Sequence, residues 1–239
     1  MLELEGVEEY NNAGALLGLD GLEGNEELLG ALRRMNPIKR MRMMSKLANP
    51  GASSKGSRAE MEKHFAELPQ NIKDGLAKGE LRLADTIIYS IKKVSSKVTK
   101  LFETQDVKTI GLSSLSAARL PKNQALLVSG VYVLAGIPAD LTPDNIIAAS
   151  YGKIEDFPAL CTGEFSLKAN KKVIVPETSM TVFKTANNTL MPLGYYKLSN
   201  PRLIQDDILM ECTVELGSMA NLDAKTHIYV GLHGTITTP

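Results

Sequence analysis

From Leu81 onward apolar residues recur at every second position, the period of β-strands, and no other feature limits the fold of this chain as strongly. The clearest run is Ile208-Leu209-Met210-Glu211-Cys212-Thr213-Val214-Glu215-Leu216. Its even positions are all apolar, and Glu211, Thr213 and Glu215 face the other way. The last segment repeats the pattern, with Ile228, Val230, Leu232 and Ile236 on one side and His227, Tyr229, His233 and Thr235 on the other. Ala125 to Ala135 is apolar on both faces, which predicts a central strand.

Further strands are expected over 82–91, 107–112, 164–167, 173–175, 180–184 and 195–198, giving about eight or nine in all. Turn residues separate them at Pro121-Lys122-Asn123, Ala169-Asn170, Ala186-Asn187-Asn188 and Ser199-Asn200-Pro201. Strands at this spacing predict an antiparallel sandwich or barrel. Thr142-Pro143-Asp144 places a cap before Pro at the first helical position, so one short helix is expected from Pro143 to Ser150, crossing one end of the sandwich.

Ahead of the strands the pattern is helical or irregular. Gly14-Ala15-Leu16-Leu17-Gly18-Leu19-Asp20-Gly21-Leu22-Glu23-Gly24 supports neither a long helix nor a strand and reads as flexible. Asn25 caps a helix expected to reach Met35, and Asn36-Pro37 starts a second over 38–47. Asn49 to Ser57 reads as a linker. Ser57 with Glu60 forms a capping box for a helix over 58–68, followed by another over 70–78. The chain therefore divides into an N-terminal arm over 1–57, a helical connector over 58–80 and a β-domain over 81–239.

The net charge of zero averages two segments of opposite sign. Glu3, Glu5, Glu8, Glu9, Asp20, Glu23, Glu26 and Glu27 stand in a stretch without Lys or Arg. Arg33, Arg34, Lys39, Arg40, Arg42, Lys46, Lys55 and Arg58 then follow without Asp or Glu. In the helix over 38–47, Ile38, Met41 and Met44 recur at helical spacing while the cations fall largely elsewhere, which makes a basic amphipathic helix. Three partners fit it. Arg33, Arg34, Lys39, Arg40, Arg42 and Lys46 suit nucleic-acid phosphates, in a salt-sensitive and sequence-independent way. The apolar stripe Ile38, Met41, Met44 suits a neighbouring subunit, and the two together suit a membrane surface. Mutual neutralisation of the acidic and basic segments is the plain structural alternative.

Signs of catalysis are sparse. His227 and His233, on one strand face, lie roughly 20 Å apart, too far to share a metal, and both read as surface residues. Cys161 and Cys212 match no metal or redox spacing and are expected to be buried free thiols. Glycoside chemistry needs carboxylates roughly 5 to 9.5 Å apart, whereas Glu211 and Glu215 are separated by about 13 Å of strand. Asp206-Asp207 fits a loop cation or a turn equally well. No metal, no cofactor and no enzymatic activity are expected. The acidic, glycine-broken start does not match a secretory signal, and Ala125 to Ile137 is too short to span a bilayer as a helix.

The region from Leu81 to Thr238 behind its charged arm resembles the single jelly-roll capsid proteins of small icosahedral viruses and bacteriophages. The resemblance is carried by the arm, the strand count, and the stretches Ala118-Arg119-Leu120-Pro121-Lys122-Asn123-Gln124-Ala125-Leu126-Leu127-Val128 and Gly194-Tyr195-Tyr196-Lys197-Leu198-Ser199-Asn200-Pro201. It implies a mainly β fold of two packed four-stranded sheets. It also implies a structural protein that self-assembles with its own copies into a shell, the arm touching neighbours, other virion proteins or the genome, located in the virion after assembly in the host cytoplasm. The commonest arm of that family is basic from its start; here the first 27 residues are acidic. Two other readings stand beside this one: a β-sandwich that binds nucleic acid through residues 33–58 as a monomer or dimer, and an enzyme of sandwich or barrel fold.

Overall fold

A computed structural model describes residues 57–185 and 191–239. Glu60–Pro239 forms a compact unit of its own and carries the fold that follows. The helices expected over 25–35 and 38–47, and the turn at Ala186-Asn187-Asn188, lie outside the described residues.

The alternating runs form strands β1 Arg82–Lys93, β2 Val98–Lys100, β3 Leu126–Gly136, β4 Glu164–Ala169, β5 Lys172–Ser179, β6 Tyr195–Ile204, β7 Met210–Glu215 and β8 His227–Thr238. They make two four-stranded sheets, ordered β1-β8-β3-β6 and β2-β7-β4-β5, with every pairing antiparallel. The first strand pairs with the eighth, the second with the seventh, the third with the sixth and the fourth with the fifth. That nested order is what one long hairpin produces when it is rolled up, and it defines the antiparallel β-sandwich known as a jelly roll.

The space between the sheets is filled by inward side chains. Ile88, Val131, Val133, Ile228, Val230 and Leu232 come from the first sheet; Phe165, Leu167, Met210, Cys212 and Val214 come from the second. Each large apolar side chain buried this way contributes roughly 1.5–3 kcal/mol. Phe165 meets Phe183 edge to face, ring centroids 5.5 Å apart. Along β7 the expected division holds: Met210, Cys212 and Val214 are buried while Glu211 and Glu215 are exposed.

The doubly apolar run of β3 has a specific cause. Its pairing with both neighbours slips between Val128 and Gly130, so Ser129 is an inserted residue. Before the slip Leu126 and Val128 face the core; after it Val131, Val133 and Ala135 do. Because one inserted residue swaps the faces, Ala125 and Leu127 point outward. There Met61, Leu68 and Ile72 bury them from above. Met61 lies in α1 Ser57–Lys63, Leu68 directly after a 3-10 turn Phe65–Glu67, and Ile72 in α2 Gln70–Lys78. The single helix expected over 58–68 is broken at His64, which takes φ −96°, ψ 8°. Gly79, at φ +80°, ends α2 in the left-handed cap that favours glycine.

Three expected elements differ. Ser199-Asn200-Pro201 is not a turn, because β6 runs through it to Ile204. Pro201 is tolerated since β6 is the sheet edge and its pairing skips from Lys197 to Arg202. Residues 180–184 form a 3-10 turn, Met180–Phe183, because the Ser179 hydroxyl accepts a hydrogen bond from the Thr181 N–H and starts a turn. Residues 107–112 form a loop that doubles back, with Thr109 bonded to Ser113 and Gly111 at φ +87°. The helix expected to begin at Pro143 does so as α3, Pro143–Ala148.

Candidate assembly surface

The outward side of the first sheet can be read row by row from its register. One row runs Tyr89, Gly231, Tyr132, Tyr195; the next Ile87, His233, Gly130, Lys197; the next Asp85, Thr235, Leu127, Leu203. The helical segment closes over Leu127 and Leu203. The first two rows stay outside that cover and gather the aromatic residues.

Tyr132 and Tyr195 rings stand 4.7 Å apart, tilted by 40°. Tyr195 lies across Gly130, where a Cβ would meet its ring and hydroxyl at 2.3–2.5 Å, so only glycine leaves room for it. From there Tyr195 Oη reaches His233 Nδ1 at 3.2 Å. Tyr89 stacks on Tyr229 with centroids 5.8 Å apart, and Tyr151 packs on Tyr229 at 6.2 Å. The Gly111 N–H donates to Tyr89 Oη at 2.9 Å, and Tyr151 Oη donates to the Ile146 carbonyl at 3.0 Å. Burial raises the phenol pKa of Tyr132, Tyr195 and Tyr229, with neighbouring tyrosines adding to it at Tyr195 and Tyr229, and pushes Tyr151 up to about 12. The face is a set of neutral, stiff aromatic side chains held by one another.

The 107–112 loop and α3 extend it. Ile110 is 88% exposed and Val107 71%, far beyond what a single buried-side contact explains, and Ile147 sits against Gly111. The loop is pinned from behind: Lys92 Nζ reaches Glu103 Oε2 at 3.0 Å and also bonds Asp106, whose second oxygen accepts from the Glu103 N–H. Burial alone would lower the Lys92 pKa, but its bonds to Asp106 and Glu103 outweigh that and raise it. Exposed Ile and Val stand here beside ordered Tyr, a residue type enriched at protein–protein interfaces.

The residues singled out in the sequence fall as follows. Arg33, Arg34, Lys39, Arg40, Arg42, Lys46, Ile38, Met41 and Met44 all lie outside the described residues. His233 belongs to the tyrosine face, half-buried, and His227 is buried at the start of β8, not on the surface as expected. The His227 ring Nδ1 meets the Lys225 carbonyl at 2.7 Å, and burial lowers its pKa. Cys212 is buried as expected, and burial raises its thiol pKa; Cys161 is only half-buried, its thiol donating to the Ile154 carbonyl. Asp206 and Asp207 act as turn anchors: Asp206 accepts from the Asn123 N–H at 2.7 Å and Asp207 from Arg119 Nη1 at 3.0 Å. Among the described residues no group of three or more His, Cys, Asp or Glu could hold a metal ion, and no helix is long and apolar enough to cross a membrane.

The tyrosine face was not anticipated. Alternation placed Tyr229 and His233 outward, but only the pairing of distant strands brings Tyr89, Tyr132 and Tyr195 to them.

The described unit is thus a jelly-roll β-sandwich with a filled interior and an aromatic outer face. No protein-family model matches the chain, and no curated protein matches it. Among solved structures it is similar to a chain of the acidic stable capsid structure of Helicobacter pylori bacteriophage KHP30, at 8% identity and a TM-score of 0.28, over 66% of this chain and 98% of that one. The fold assignment rests on the strand pairing, not on a likeness of that size.

Proposed function

We propose that the chain is a capsid subunit: a non-catalytic structural protein of a virion, such as that of a bacteriophage, which assembles with copies of itself into a shell. The nested eight-strand pairing carries this reading, since double-sheet jelly rolls serve in viral capsids, in lectins and in cupins. Cupin-type chemistry places ligands inside the sandwich, and here the inside is packed with Phe165, Leu167, Val214, Val230 and their neighbours. The tyrosine face and the Val107–Ile110 loop supply apolar contact area on the outside. Fold-level analogy is the warrant for the capsid role, and the experiment is direct. Purified full-length chain, followed by sedimentation and negative-stain microscopy across concentration, salt and pH, should form rings or shells. A chain that stays monomeric under all these conditions defeats the reading.

The charged arm accompanies this role. The basic segment 33–58 contacts a neighbouring subunit or the genome during assembly. If particles form, their ultraviolet absorbance ratio before and after nuclease treatment decides between these; bound nucleic acid on a monomer or dimer that never assembles supports the alternative of a nucleic-acid-binding sandwich.

A further inference from the structure

At the open side of the sandwich, between the edge strands β5 and β6, lies a cleft of about 430 Å³, within the size range of small-ligand sites. Its floor is apolar: Ile204 is buried, and Ile174 and Ile208 pack half-buried against the core. Two cations stand at its rim. Arg202 lies on the same side of β6 as Ile204, and is paired across the sheet with core-facing Val128. Lys172 is paired with Ala169, whose side chain also faces the core. Residues directly opposite share a face, so both cations project inward from the edge strands where the two sheets part. Both are exposed, and among the described residues neither forms an ion pair. The one carboxylate lining the cleft, Glu67, is 2.9 Å from His64.

An apolar floor under unpaired cations suits an extended segment that alternates apolar and acidic residues. The chain carries one: Leu2-Glu3-Leu4-Glu5, at the head of a stretch to residue 27 with no Lys or Arg. We infer that Leu2–Glu5 of one copy docks in the β5–β6 cleft of a second copy, with Leu2 and Leu4 on the Ile174–Ile204–Ile208 floor and Glu3 and Glu5 meeting Lys172 and Arg202. Charge complementarity selects this segment over the basic one that follows it and steers the encounter. The contact is salt-sensitive because its ion pairs sit at an exposed rim. The inference rests on the assembly reading and names one contact through which copies join.

Charge reversal tests it in the full chain. Lys172→Glu with Arg202→Glu reverses the cleft, and Glu3→Lys with Glu5→Lys reverses the arm; all four positions are on the surface or in the arm, and melting curves check that each protein folds. Light scattering at low salt should show that either reversed protein alone needs about tenfold more protein to assemble than wild type. An equimolar mixture of the two should assemble like wild type, because each reversed arm then finds a reversed cleft on another copy. Three results overturn the inference: neither reversal weakens assembly; the mixture fails while one chain carrying all four changes is restored, which means that the contact is made within a single copy; or cleft reversal releases bound nucleic acid and leaves assembly unchanged. Wild type that never assembles removes the assembly reading itself, whereas wild type that assembles beside a mixture that does not removes this inference alone.

Discussion

Glu164 on β4 and Glu215 on β7 stand directly opposite each other on the exposed outer side of the second sheet. Like charges in that relation oppose strand pairing by roughly 0.2–1 kcal/mol. Val98 and Ser179, the residues flanking the pair across the sheet, bring no compensating charge. Glu215→Lys turns the repulsion into attraction and should raise stability by about 0.5–1 kcal/mol in denaturant titration, with the gain shrinking at high salt. A loss of stability would show that the β4–β7 register is wrong.

One position further along β7 the same logic acts on the other face. Val214 is fully buried, so Val214→Asp places an unpaired carboxylate in the core and should unfold the domain or lower its melting temperature drastically. Thr213→Asp, half-buried on the opposite side, should cost far less. Equal effects of the two would mean the faces of β7 are misassigned.

Gly130 tests the tyrosine face. A methyl group there collides with the Tyr195 ring, so Gly130→Ala should cost roughly 1–3 kcal/mol and break the Tyr195–His233 contact. Removing the ring should relieve the strain. In a double-mutant cycle Gly130→Ala combined with Tyr195→Ala should be less destabilised than the sum of the single changes, and strict additivity would sink the contact.

The pH dependence follows from His227. Its folded pKa lies below the ordinary 6.5 because of burial, so the unfolded chain takes up the proton first as pH falls. Its contribution to stability is complete above pH 6.5 and is lost as pH drops through the lower folded value. Unfolding free energies measured from pH 8 to 5 should fall more steeply for wild type than for His227→Gln. At the alkaline end Tyr151, at about 12 when folded against 10.0 unfolded, contributes stability that is present below pH 10 and lost towards pH 12. Tyr151→Phe should flatten that limb.

How much of this could be read from residues alone varies with the range of the forces involved. The faces of β7 were legible because alternation is local and one side is buried. The run from Ala125 to Ala135 was legible as a central strand, but not the inserted Ser129, since the slip is defined only against β8 and β6. Pro201 read as a turn because its tolerance depends on β6 being an edge, which is a property of the whole sheet. The 107–112 segment resembled a strand in composition, yet Gly111 and the Thr109–Ser113 bonds turn it back. Of the candidate surfaces, the charge reversal in the arm was plain in sequence, whereas the tyrosine face arises from register between strands far apart, and Lys172 and Arg202 line one cleft only because the two sheets bring β5 and β6 together.

The nested strand order also sets a timetable. β8 lies between β1 and β3 and joins them through Tyr229, Gly231 and His233, yet the ribosome makes it after every other strand of the sandwich. Until it emerges, β1 has no partner in its sheet, and contacts of such long sequence separation form slowly. The outer face, and any surface by which copies recognise one another there, is therefore incomplete on a nascent chain. On the proposed assembly reading, crowded polysomes would hold subunits that cannot yet stick to their neighbours, and the fold itself would act as the delay that keeps association behind synthesis.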